Sequence, residues 1–431
     1  MRPGRAGGGA AESPAGVRAG SAVQLRWSRS PRAYTLGLLA AASLVAGYLT
    51  GRGALAAFAA GPLVLLAFAV HNRLPAGLPV DARWPSRRCL EGDTVTLTVR
   101  IRLPAGATLL APALSASGPV RARVHDTTDG LAFDVTPHRW GELRCAITLT
   151  VADRLGVRTG RCSVPAPELV VLPRPPRLRR APRSAYSIPR LGEHPSLVAG
   201  SGTEFLGLRE YQPGEALREI NRAASARGRG LYLTERAAER ASDIVVGVDA
   251  FAELGPPGRS TVDRSVRGAV AVARAAARSR DRVGLIVLAG IPRWLRPEAG
   301  IRQLDRLVAA VLEVRRWPLS EVTPDLRRVP RTMLPPRSVV VLFSPLTDGR
   351  ARHTAVDLSR RGARVIVVDV LDETTVPARP DRTLGDLAHR LWRLERGAQR
   401  AELAAAGIRV VRWPDGELSA ALAALSARGT R

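Results

Sequence analysis

Two uncharged apolar runs, residues 34–49 (YTLGLLAAASLVAGYL) and 54–70 (ALAAFAAGPLVLLAFAV), are separated only by Thr50, Gly51, Arg52 and Gly53. Nothing else in the chain restricts its fold as strongly. A helix with no polar face must be covered on every side, by lipid or by a large core. Each run is slightly shorter than the roughly 20 residues that cross a bilayer, and the flanking Tyr and Arg side chains can reach the interface. A secretory signal is one such run followed by a cleavage site, so a pair joined by a short turn reads as a transmembrane hairpin. Arg18, Arg26, Arg29 and Arg32 precede it and Arg73, Arg83, Arg87 and Arg88 follow it, against Arg52 alone in the turn. That asymmetry places both termini in the cytoplasm and makes the lipid bilayer, at the plasma membrane, the first expected partner. Residues 1–32, rich in Gly, Ala, Ser and Arg, are expected to form a disordered basic tail.

With 431 residues the chain has room for two or three domains. A formal net charge of +27 would ordinarily suggest nucleic acid. The excess is entirely arginine, with no lysine anywhere, beside abundant Ala, Gly and Pro. This has the look of a genome-wide coding bias, and the arginines are not gathered into a block with interleaved aromatics, so no specific nucleic-acid partner is expected. Cys89, Cys145 and Cys162 are too few and too odd in number for a disulfide framework and read as small buried hydrophobes.

Residues 79–173 alternate apolar and polar side chains in several short runs: 94–102 (TVTLTVRIR), 120–124, 131–135 after an Asp129-Gly130 turn, and 143–151 (LRCAITLTV). Period-two alternation at this spacing predicts a small β-sandwich. His125 and His138 stand alone and read as structural residues. The Pro- and Arg-rich stretch 173–183 (PRPPRLRRAPR) leads into residues 174–240 and is expected to be a linker or an extended clamp.

From 241 to 431 the pattern changes to continuous apolar strands alternating with amphipathic helices. Strands are expected at 244–248, 283–289, 339–343, 365–370 and 408–412, and helices at 265–278, 301–314, around 356–361, 384–403 and 418–426. This predicts a doubly wound parallel sheet, with ligands at the carboxyl ends of the strands, where Asp249 lies.

The stretch GTEFLGLREYQPGEALREINRAASARGRGLYLTERAAER (residues 202–240), followed by the strand that ends on Asp249, resembles the family known as domain of unknown function 58. The family pattern REYxPGD…RxIDW is carried here by Arg209, Glu210, Tyr211, Pro213 and Gly214, then Arg218 and Ile220, with an Ala226-Arg227 pair after it. Glu215, Asn221 and Arg222 depart from it, so the chain reads as a divergent member. RWGEL (139–143), VADRLGV (151–157) and VVLPR (170–174) also resemble the family's preceding β-rich region, and two N-terminal membrane helices are usual in it. The resemblance implies a von Willebrand factor type A-like α/β domain and a MoxR-type AAA+ ATPase as partner. It also implies a comparison with the metal-ion-dependent adhesion site, DxSxS plus a threonine and a second aspartate, whose short oxygen-bearing side chains suit octahedral Mg²⁺. Here Phe251 and Glu253 stand at the two serine positions, and Ser344-Pro345 where the second aspartate belongs. Asp249, Thr323 and Asp348 are the ligands that remain, so the metal site is expected to be degenerate and no cofactor is expected.

The chain contains no GK[ST] phosphate loop, no HExxH and no GxSxG. The expectation is therefore a non-enzymatic, membrane-anchored scaffold that binds other proteins through Arg209, Glu210, Tyr211, Pro213, Gly214, Arg218 and Arg227. The alternative is a Mg²⁺-dependent adhesion or ligand-binding module. Internal ion pairing of the charged 209–227 segment is the competing structural role.

Overall fold

The computed structural model describes residues 22–71, 76–178, 181–182, 195–212, 220–227, 230–239, 243–289, 293–316, 334–335, 337–371, 382–413, 418–419 and 422. Two compact units, 1–172 and 173–431, make up the chain.

The first unit opens with β1 (Ala22–Gln24) and β2 (Arg26–Arg29), then α1 (Pro31–Thr50), α2 (Gly53–Ala57) and α3 (Ala60–His71). The Ser30 side chain accepts from the Ala33 amide and Pro31 sits at the first helical position, so the start of α1 is capped in the usual way. Gly51, at φ 63°, ends it. Pro31–Thr50 and Gly53–His71 are both long and apolar enough to cross a membrane. The second run is not one continuous helix: it breaks after Ala57, and α3 restarts at Ala60. Residues 22–29 correct the expectation of a structureless tail through residue 32. Val23, Leu25 and Trp27 alternate with polar residues, and β1 extends the sheet edge at β3 (Gly77–Arg83) while β2 pairs elsewhere, leaving Leu25 buried between them.

The strands that follow are β4 (Arg88–Leu90), β5 (Val95–Ile101), β6 (Thr108–Ala116), β7 (Val120–Thr127), β8 (Gly130–Pro137), β9 (Gly141–Leu143), β10 (Cys145–Ala152), β11 (Arg158–Pro165) and β12 (Leu169–Leu172). They form sheets in the orders β1-β3-β5-β8-β7, β2-β11-β10-β6 and β4-β12-β9. Every pairing except β4 with β12 is antiparallel. Burial alternates along β10 as a half-buried strand requires. Leu97, Val99, Phe133 and Val135 of the first sheet share one core with Ile147, Leu149 and Val151 of the second, the sandwich-like arrangement the alternation predicts. Cys89, Cys145 and Cys162 are free thiols; burial pushes those of Cys89 and Cys145 up to about 11.

In the second unit β13 (Pro195–Glu210) and β14 (Tyr232–Glu239) form a two-stranded antiparallel ribbon, with the single turn α4 (Arg222–Ser225) between them. The sheet that follows contains β15 (Asp243–Asp249), β16 (Arg282–Leu288), β17 (Arg293–Glu298), β18 (Val339–Ser344), β19 (Arg364–Asp369) and β20 (Arg409–Arg412). Its order is β17-β16-β15-β18-β19-β20, parallel throughout except for the antiparallel edge β17. The interleaved helices are α5 (Thr261–Arg278), α6 (Ile301–Leu312), α7 (Gly349–Arg360) and α8 (Arg382–Ala405). β15, β16 and β18 are buried at almost every residue, which is why they read as unbroken apolar runs. β17 (RWLRPE) has no such run and was not anticipated; an edge strand with one exposed side tolerates its proline and arginines. The final expected helix, 418–426, falls mostly outside the described residues.

α5 carries a full capping box, with Ser260 and Asp263 each satisfying the other's backbone, and lies across the middle of the sheet against β15, β16 and β18. Its Gly268 is a packing requirement. A Cβ there would come within 2.3 Å of the Phe343 ring, so this helix approaches β18 only because the position has no side chain.

Candidate functional site

The chain order of the sheet reverses between β15 and β18, and ligands of open α/β sheets bind outside the carboxyl ends of the strands at such a point. Three adjacent strand ends there carry Asp249, Ser344 and Asp369. Val248 pairs with Phe343, and Ser344 with Asp369, so the three polar side chains stand in a row across the sheet.

Asp249 is 1% exposed. Its Oδ2 accepts from the Ser344 hydroxyl at 2.6 Å and its Oδ1 from the Phe251 amide at 3.1 Å. Burial pushes this carboxyl up to about 6, against the lowering effect of those two donors. The Ser344 hydroxyl also accepts from the Leu346 amide at 2.9 Å. Leu346 has φ 54°, a left-handed conformation costly for a branched side chain, and it is fully buried. That strained residue directly follows the strand end that holds the acid, two residues after Ser344.

The two positions where an adhesion site would place serine hydroxyls have other work. Phe251 is buried, and the Arg350 guanidinium lies over its ring at 3.9 Å, a cation–π contact. Glu253 turns to α5 and accepts from the Ser260 hydroxyl at 2.5 Å. Asp348 is the N-cap of α7, accepting from the Arg350 amide at 2.8 Å. Both its oxygens also accept from the Arg350 guanidinium, at 2.6 to 3.1 Å. That pairing holds the Asp348 carboxyl below the usual carboxylate range. Asp348 and Arg350 act on Asp249 in opposite directions, the carboxylate raising its pKa and the guanidinium lowering it. Arg350 thus supplies a fixed positive charge to both acids. Thr323 lies outside the described residues. Among the described residues no group of three or more His, Cys, Asp or Glu side chains could hold a metal ion, and the donor set left at the strand ends is a poor fit to an octahedral cation.

Asp369, also 1% exposed, was not singled out by the sequence. It accepts from the buried Arg396 at 2.6 Å on both oxygens and from Arg400 at 3.0 Å. Arg396 also donates to the Pro345 carbonyl at 2.5 Å, so α8 is bolted to both β18 and β19 at the ends that would border a ligand crevice. Arg396 and Arg400 lie one helical turn apart on an arginine-rich helix, which is the sequence signal for the pair, but many other arginines share it.

The expected interaction segment lies partly on the β13–β14 ribbon. Arg209 and Glu210 end β13, paired with Leu233 and Tyr232, and the Tyr211 amide donates to the Leu231 carbonyl at 2.8 Å. Asn221 caps α4 by accepting from Ala224 and donates to Thr234, folding that turn back onto β14. Glu210 and Arg227 are exposed, and Arg209 and Tyr211 are half-buried. Pro213, Gly214 and Arg218 lie outside the described residues.

No curated protein and no solved structure matches the chain. Residues 207–401 match the family model described as Protein of unknown function DUF58. The match runs from the Arg209 ribbon through the strand ends with Asp249 and Ser344 to the α8 arginines. The resemblance first carried by residues 202–240 thus extends over most of the second unit, and that region, residues 207–401, is a match to the domain of unknown function 58 family.

Proposed function

We propose that the chain is a membrane-anchored, non-enzymatic scaffold whose second unit is a von Willebrand factor type A-like domain with a degenerate metal site. It would bind other proteins, a MoxR-type AAA+ ATPase among them, in the cytosol. The sheet order with one antiparallel edge strand is the reason to choose this fold family, and the two apolar helices are the reason to place the chain in a membrane with both termini cytoplasmic. One observation carries the non-enzymatic part. The acid at the switch point is buried with both oxygens engaged, and its neighbour Asp348 is held by Arg350. A reactant cannot reach a 1% exposed carboxylate, and a cation would have to displace these partners.

The retained Arg209, Glu210 and Tyr211 ribbon is then the surface to test. The full chain in detergent is mixed with the MoxR-type ATPase of the same cell, and complex formation is followed by size exclusion. We expect co-elution that Arg209→Ala with Tyr211→Ala weakens at least tenfold, an interface hot-spot loss of about 1.4 kcal/mol or more. No complex, or one indifferent to the pair in a folded variant, refutes the reading.

The proximity of Asp348 to Asp249 favours one second reading, a Mg²⁺-dependent adhesion module using Asp249, Asp348 and Thr323. Two carboxylates within electrostatic reach are the beginning of a divalent site. That reading predicts a Mg²⁺-dependent rise in melting temperature, abolished by Asp249→Ala.

A further inference from the structure

The end of the first unit where α1 begins and α3 finishes carries several arginines that have no acidic partner among the described residues. Arg29 ends β2 directly opposite Arg158 of β11, and Arg26 stands opposite Arg161 in the same short pairing. Like charges facing across an antiparallel pair are destabilising unless something between them is negative. Arg32 lies across Gly156, where a Cβ would sit 3.2 Å from its Nη1, and donates to the Leu155 carbonyl at 3.4 Å. Arg158 reaches the Val70 carbonyl at the end of α3, at 3.5 Å. Arg154 is exposed in the same turn, and Arg29 and Arg32 are exposed as well. The turn's acid, Asp153, accepts from the Val157 and Arg158 amides and forms no ion pair with these arginines.

The turn is not free to leave this place. Leu155 and Val157 pack with Ala33 and Leu36 of α1 and Leu66 and Ala69 of α3, and Ser30 donates to the Gly156 carbonyl at 2.6 Å. The β1–β2 strap on one side of the hairpin and β3 on the other belong to the same sandwich. The sandwich therefore meets the two helices through a packed joint. Tyr34 (63% exposed) and Tyr48 (88%) stand near the two ends of α1, the positions of an aromatic belt. Arg29 and Arg32 precede Tyr34 in the chain, where a hairpin that spans the bilayer would meet the lipid phosphates.

We propose that Arg29, Arg32, Arg154 and Arg158 form a collar that binds the phosphate of anionic phospholipid headgroups and seats the β-rich domain on the bilayer. The inference rests on the hairpin spanning the membrane, as proposed above. The phosphates supply the negative charge missing between Arg29 and Arg158, and guanidinium groups suit them by their paired donors. Because the joint is packed, the bound lipids fix the orientation of the whole sandwich.

The test uses the full chain reconstituted in vesicles of phosphatidylcholine alone or with added phosphatidylglycerol. Flotation after alkaline wash reports insertion; failure to float in either lipid removes the hairpin reading and the collar with it. For inserted protein, the melting temperature should be higher with phosphatidylglycerol, and high salt should reduce the difference. Replacing all four arginines with Gln should cut that difference by more than half, and Lys at the same places should keep it. Arg121→Gln with Arg123→Gln, on the far edge strand β7, should leave it intact. Should the four-fold Gln variant fail to fold, Arg29→Gln with Arg154→Gln serves, since neither side chain holds a hydrogen bond among the described residues. An equal response to both lipids, an undiminished response in the Gln variant, or equal stabilisation by soluble glycerol phosphate would overturn the assignment.

Discussion

Replacing Asp249 with Asn separates the plugged site from a metal site by the sign of a stability change. The carboxyl is raised from an ordinary 3.8 to about 6. At about 1.4 kcal/mol per tenfold change in the proton equilibrium, the ionised side chain therefore costs the folded state ~3 kcal/mol above neutrality. The folded pKa lies above the unfolded one, so this cost is fully present at alkaline pH. It is relieved as pH falls from about 6 towards 3.8, where both states become protonated. Asn is nearly the same shape and carries no charge. Its carbonyl can still accept from the Phe251 amide, but its NH₂ then faces the Ser344 hydroxyl, which already accepts from Leu346. Allowing ~1 kcal/mol for that imperfect pairing, the variant should be more stable by about 1–2 kcal/mol at pH 8. For a unit of this size that is a rise of roughly 2–8 °C in melting temperature. The advantage should fall to about a third by pH 5, vanish at about pH 4.4 and reverse below that, where the imperfect pairing of Asn outweighs the small remaining cost of ionising Asp249. Urea unfolding followed by circular dichroism across that range measures it. A variant less stable than the parent at pH 8, or a parent stabilised by millimolar Mg²⁺ where Asp249→Asn is not, would refute the reasoning and favour a cation at the strand ends.

Arg396→Met should destabilise the second unit by about 3 kcal/mol, the low end for an orphaned buried charge because Arg400 remains, and Asp369→Asn in the same chain should recover part of the loss in urea midpoint. Gly268→Ala improves helix propensity by ~1 kcal/mol, yet its Cβ would meet the Phe343 ring at 2.3 to 2.8 Å. Overpacking should win, with a net loss of up to about 2 kcal/mol that Phe343→Leu relieves, so a stabilised Gly268→Ala protein would contradict this packing.

Much of the α/β unit was legible because its elements are local. The strand expected at 244–248 is β15, that at 339–343 is β18, and the helix expected at 384–403 is α8, each within a residue or two of its observed ends. Elements were missed where polar composition hid the pattern. The alternation of Val23, Leu25 and Trp27 lay inside a stretch dominated by Gly, Ala and Arg, and β17 carries a proline. The helix expected only around 356–361 starts at Gly349 because Asp348 caps it, a role a candidate metal ligand does not advertise.

By itself the sequence determined the two bilayer-length apolar runs and those helices and strands whose apolar period is unbroken, since hydrophobic period is a property of neighbours along the chain. It also placed Phe251 and Glu253, neither of them a serine, at the second and fourth residues after Asp249. Only the tertiary structure decided what the remaining acids do. Asp249 finds Ser344 across 95 residues and Asp369 finds Arg396 across 27. Whether a carboxylate is open or plugged depends on such distant partners and on burial, and neither has a period that can be read from one dimension.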